Sequence, residues 1–184
     1  MFDRDRFVYV TFQIDTNRIN ARGSLPDMNQ LEAWHEAGVI MMQMSQVAQG
    51  EAKSGASALR SKRAISYIFS ITYGDRPDEQ ADLRAIEEAI FPGGAATETE
   101  RHDVEVAFNA KKYGAILVTN DGLSKRQPRG ILGSRAALAR IGAQVMTDSE
   151  AVAYVRQKIA ERDQRMRLRA QREGTPLPDW VGAD

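Results

Sequence analysis

The chain has 184 residues, 42% of them hydrophobic and 27% charged, enough for one domain with a substantial core. Lys+Arg and Asp+Glu balance at 25 each, so no global positive field advertises nucleic acid, and basic binding surfaces must be local. The absence of cysteine excludes disulfides and thiolate metal sites. No stretch reaches the roughly 18 apolar residues of a membrane span. "MFDRDRFVYV" carries charge where a signal peptide would be apolar, so the expected location is cytoplasmic.

In chain order, "FVYVTFQI" (7–14) is β-branched and aromatic and predicts a buried strand ending at Asp15. "DMNQLEAWHEAG" predicts a short helix capped by Asp27 and stopped by Gly38. "VIMMQM" predicts a second strand, with its methionines in the core. From Gln46 to about Tyr73 breakers are few, which predicts an interrupted helix. "PDEQADLRAIEEAIF" predicts another helix, stopped by Pro92-Gly93-Gly94. In "TETERHDVEVAFNAKKYG", Thr97 and Glu100 stand at capping-box spacing and Gly114 closes the helix.

"AILVTND" then predicts a strand over 115–119, ending in Thr119-Asn120-Asp121. A Gly-, Lys- and Arg-rich loop, a helix at "SRAALARIG" and a strand at "AQVMT" follow. A last helix over about 150–169, capped by Asp148 or Ser149, leads into the irregular tail "EGTPLPDWVGAD". Strands alternating with helices predict an α/β domain with a largely parallel sheet over 1–155. Residues 156–184 form a basic helical extension and tail.

In parallel sheets, ligands bind outside the carboxyl ends of the strands, and Asp15 and Asp121 each follow such an end. Asp103 shares a helix face with Val106, Ala107 and Ala110, and Glu51 shares one with Val47, Ala48 and Gly55. Each acid therefore interrupts a face that reads as buried, where an unpaired carboxylate costs several kcal/mol. Four such acids in one crevice would repel each other, and a hard cation such as Mg²⁺ or Mn²⁺ resolves that conflict. Alone, each acid also has a plain structural reading: a turn at Asp15, a loop cap at Asp121, a favourable helix-dipole position at Asp103, a solvated helix face at Glu51.

"FQIDTNRIN", "SQVAQGEA" and "HDVEVAFNAKKYGAILVTND" together resemble the PIN domain, a family of metal-dependent nucleases. The resemblance runs over most of Phe7 to about Tyr154, and its most specific part is the 18-position step from Asp103 to Asp121. It implies a three-layer α/β/α fold and an endoribonuclease in which Asp15, Glu51, Asp103 and Asp121 bind Mg²⁺ or Mn²⁺. It further implies Asn17 and Thr119 as polar supports, a homodimer, and a toxin role restrained by an antitoxin protein. Glu32 and Glu36 are alternative helical acids to Glu51. The sequence departs from compact bacterial members in the length of 59–94, in Arg18 after Asn17, and in the C-terminal extension.

His35 and His102 are the only histidines and cannot make a zinc site unaided; His102 is expected beside the acids or on the surface. No phosphate-binding loop or nucleophile elbow is present. Basic clusters at 60–63 ("RSKR"), at Arg18, and at Lys125, Arg126 and Arg129 are candidate RNA contacts, as is the stripe of Arg156, Lys158, Arg162, Arg165, Arg167, Arg169 and Arg172. Two other readings stay open: a catalytically silent module binding RNA or protein, and a Mg²⁺-dependent phosphohydrolase of small esters. The second lacks the Asp-x-Asp of the haloacid-dehalogenase type, since Thr16 and Asn17 follow Asp15.

Overall fold

The computed structural model describes residues 3–70, 74–122 and 130–184. Five parallel strands form one sheet in the order β3-β2-β1-β4-β5. They are β1 (Thr11–Ile14), β2 (Met41–Ser45), β3 (Ile68–Ser70), β4 (Ile116–Val118) and β5 (Val145–Met146). Among the described residues, eight α-helices connect and cover them: α1 (Pro26–Glu36), α2 (Gln46–Ser54), α3 (Ala58–Ser66) and α4 (Pro77–Ile90). The others are α5 (Glu98–Lys112), α6 (Gly130–Gly133), α7 (Arg135–Arg140) and α8 (Asp148–Glu173).

The chain moves outward from β1 to β2 to β3, then returns to β4 and β5 on the other side. Right-handed crossovers therefore place α1 on one face and α4, α5 and α7 on the other. α1 packs against α8, and α4 against α5 and α7, which completes a three-layer α/β/α architecture. Strand alternation sorts the core. Phe12, Ile14, Met42 and Met44 are fully buried toward α1 and α8, whereas Gln13 turns to α5 and donates to the Val106 carbonyl at 2.6 Å.

Several local expectations change. The first strand starts at Thr11, not Phe7, because Tyr9 adopts a left-handed backbone (φ 56°) that no extended run tolerates. Pro26 opens α1, so Asp27 lies inside the first turn and its side chain does not cap. Over 46–70 the expected interrupted helix divides into α2 and α3 and then gives way to β3, an edge strand; 71–73 lie outside the described residues. Thr147, rather than Asp148 or Ser149, caps α8 through a capping box with Glu150. The Thr97–Glu100 capping box and Gly114 (φ 62°) close α5 as expected.

α8 is continuous across residues 155 and 156, and its buried side runs from Ala151 to Asp163. Arg162, one member of the expected basic stripe, is 2% exposed. Its guanidinium donates to Asp163 Oδ1 at 2.7 and 2.9 Å and to the Arg6 carbonyl at 2.6 Å, and pairs with Asp184 Oδ2 at 2.9 Å. Trp180 stacks on the same guanidinium, 4.5 Å from ring centroid to charge, and donates to Asp3 at 2.8 Å. The tail is thereby folded back onto the amino-terminal residues, and Arg162 is unavailable to a nucleic acid. Among the described residues no helix is long and apolar enough to cross a membrane.

Candidate functional site

The carboxyl ends of β1 and β4 lie side by side, with Ile14 paired to Val118, so the residues that follow them share one crevice. Asp15 is the first residue beyond β1 and is 8% exposed. Its Oδ1 accepts the Thr16 N–H at 2.6 Å, and its Oδ2 accepts Thr119 Oγ1 at 2.6 Å and Asn17 Nδ2 at 2.7 Å. Thr119 is fully buried and works in several directions: its hydroxyl also accepts Asn17 Nδ2 at 3.1 Å and the Asp121 N–H at 3.0 Å. Asn17 Oδ1 accepts the Asn120 N–H at 3.1 Å, tying the two strand ends together.

Asp121 Oδ2 accepts the Ile131 N–H at 2.8 Å. That contact depends on Gly130, whose φ is 45° and where any Cβ would run into Asp121 Oδ2 and the Gly122 backbone. The short α6 that delivers this N–H had no expected counterpart in the sequence. α2 and α5 pack together and bring Glu51 and Asp103 to the same crevice. Glu51 Oε2 accepts Thr16 Oγ1 at 2.8 Å, and Oε1 pairs with His102 Nδ1 at 2.8 Å.

Electrostatics binds the four acids together. Burial pushes the Asp15 carboxyl up to about 6, against the Thr119 and Thr16 hydrogen bonds; Asp121 and Glu51 push it further. Asp103 rises to about 7, again chiefly by burial and then through Asp121, Asp15, Glu51 and Glu100. The rival acids fall elsewhere. Glu32 is buried but consumed by Arg63, by Tyr67 Oη at 2.7 Å and by Asn20, and Glu36 is exposed.

The donor set is all oxygen and strongly anionic, the chemistry that suits Mg²⁺ or Mn²⁺ rather than a soft metal. Asp103 carries no hydrogen bond in the described residues, which leaves its oxygens available. Among the described residues, no three acidic or imidazole side chains are drawn into a finished ion cage. The acids repel one another across the crevice, with Glu51 turned toward Thr16 and His102.

Of the basic candidates, Arg18 pairs with Asp148 at 3.0 Å and is half-buried. Lys125, Arg126 and Arg129 lie outside the described residues. Arg60 reaches over the single 3-10 turn after Asp15 and donates to the Thr16 carbonyl at 2.6 Å. With Arg18, Arg22 and Asn17 it lines a hollow of about 510 Å³ beside the acids. His35 lies in the last turn of α1, where its Nδ1 accepts the Met42 N–H at 3.3 Å.

Three residues of the site were not among those the sequence singled out. Thr16 grips Asp15 through its N–H and Glu51 through its hydroxyl, and its position between Asp15 and Asn17 was the available signal. Gly130 and Ile131 carried no signal, because their contact with Asp121 is created by the fold. Comparison with protein families yields no matching family model, and no curated protein matches the chain.

Proposed function

We propose that the chain is a PIN-like, divalent-metal-dependent endoribonuclease, with Asp15, Glu51, Asp103 and Asp121 holding Mg²⁺ or Mn²⁺. The observation that carries the reading is the convergence of four acids at the carboxyl edge of a parallel sheet, where burial first, and the neighbouring acids after it, raise Asp15 and Asp103. Carboxylates raised this far are costly in a structural role and useful in a cationic one. When bound, the ion would supply an activated water and neutralise charge developing on a phosphoryl oxygen.

The remaining work belongs to the chain. Thr119, Asn17 and the Thr16 N–H fix the Asp15 carboxylate by three hydrogen bonds, so that it need not reorganise during reaction. The Ile131 N–H fixes Asp121 through one oxygen and leaves the other to the crevice. Thr16 and His102 hold Glu51 at the rim. Arg18, Arg22 and Arg60 line the adjoining hollow and offset the acids' repulsion of an RNA backbone.

The test is cleavage of labelled single-stranded and hairpin RNAs with Mn²⁺, Mg²⁺ or EDTA, beside an Asp103→Asn, Asp121→Asn double variant. Metal-dependent cutting that vanishes in the double variant is the expected result. Cutting that survives in it, or that ignores EDTA, refutes the assignment.

A further inference from the structure

We propose that the hollow on the β3 side of α5 is a base pocket that takes an unpaired guanine of the RNA; this deepens the nuclease reading and rests on it. α5 presents Glu105, Phe108 and Asn109 to this hollow, positions that share one flank of the helix and point away from Asp103. Its volume is about 430 Å³, within the ~300–1,000 Å³ of small-ligand sites.

Asn109 is the decisive residue. It is 1% exposed, and the Ser70 hydroxyl donates to its Oδ1 at 2.7 Å, which fixes the amide. Its Nδ2 has no hydrogen-bond partner among the described residues. A buried donor left open is a costly feature, and Asn109 is one of the residues that line the cavity, which points to a ligand acceptor as the missing partner.

The other walls select the ligand. Leu83 and Val47 give apolar surface for a flat ring, while the exposed carboxylates Glu105 and Asp75 repel phosphate and accept N–H donors. Guanine matches: O6 and N7 accept from Asn109, and the adjacent N1–H and N2 amino group give a carboxylate two parallel hydrogen bonds. Adenine has one amino group and no ring N–H beside it.

Gln46 and Val47 also line the neighbouring hollow of about 790 Å³, which contains Glu51 and His102. A base in the first hollow thus leads its backbone along the groove toward the acids. Unpaired bases are what sequence-selective RNA recognition reads.

The experiment is ligand-observed saturation-transfer NMR and calorimetry on the full chain with guanosine, inosine and adenosine. Wild type, Glu105→Gln, Asp75→Asn, Asn109→Leu and Asp103→Asn are compared, with thermal unfolding recorded for each. Guanosine should bind at least about tenfold more tightly than inosine or adenosine, the cost of a lost charge-assisted hydrogen bond. Glu105→Gln, at an exposed position that cannot unfold the domain by cavity formation, should erase that preference, and Asp103→Asn should keep it. Equal binding of the three nucleosides, no binding, or a preference intact in Glu105→Gln overturns the pocket. Guanosine selectivity without metal-dependent RNA cleavage would sink the nuclease reading while supporting the pocket, and cleavage without that selectivity would do the reverse.

Discussion

Asp103→Asn offers a thermodynamic test of the acidic crevice that needs no substrate. In the metal-free protein the Asp103 carboxyl is raised from 3.8 to about 7. Folding therefore favours its protonated form, so its stability contribution is full below about pH 4 and is lost as pH rises toward 7. At about 1.4 kcal/mol per pH unit that shift amounts to ~4 kcal/mol at face value. Asp103 is partly buried and solvent still screens its repulsions, which leaves ~1–2 kcal/mol at pH 8. Asparagine keeps the shape, breaks no hydrogen bond in the described residues, and removes the charge. Urea unfolding in EDTA should show variant and wild type of equal stability near pH 4, with the variant ~1–2 kcal/mol more stable at pH 8. Adding Mn²⁺ should reverse the order, because only the wild type gains binding energy from the intact acid set. A variant no more stable at pH 8 than at pH 4, relative to wild type, would refute the claim that these acids strain one another.

Thr119→Val removes the donor to Asp15 and the acceptor of the Asp121 N–H at nearly constant volume. Carboxyl-labelled NMR should show Asp15 titrating one or more pH units above about 6, and RNA cleavage should fall at least ~10-fold, with Thr119→Ser restoring both. In α8, Arg162→Met leaves the buried Asp163 without its cation and Asp184 with Arg6 alone, and should cost ~3–5 kcal/mol in urea unfolding. The exposed pair of Arg76 with Asp78 should lose less than ~1 kcal/mol when Asp78 becomes alanine, a change that leaves the Arg76 pair with Glu79 in place.

Much of this architecture was legible before any coordinates. Alternating strands and helices announced the α/β class, and the Thr97–Glu100 box and Gly114 marked the ends of α5, because capping and left-handed glycines are local chemistry. The short edge strand β3 was not legible. Three residues after a helix give no periodicity, and only pairing with β2 makes Ile68–Ser70 a strand. Arg162 looked like one more cation of a basic stripe, since its partner Asp184 is brought to it only by the returning tail.

The acids show the same division. Their positions after strands and on helix faces follow from the sequence, since strand ends and helical periodicity are set by neighbouring residues. Which helical acid belongs with them was decided by tertiary structure: Glu32 pairs with Arg63 and Tyr67, while Glu51 comes within electrostatic reach of Asp15 and Asp103. The open Asn109 donor and the Gly130 approach to Asp121 likewise exist only in three dimensions. Local pattern determines what a residue can do, but burial, and with it the cost of leaving a charge or a donor unmet, depends on segments far apart in the chain.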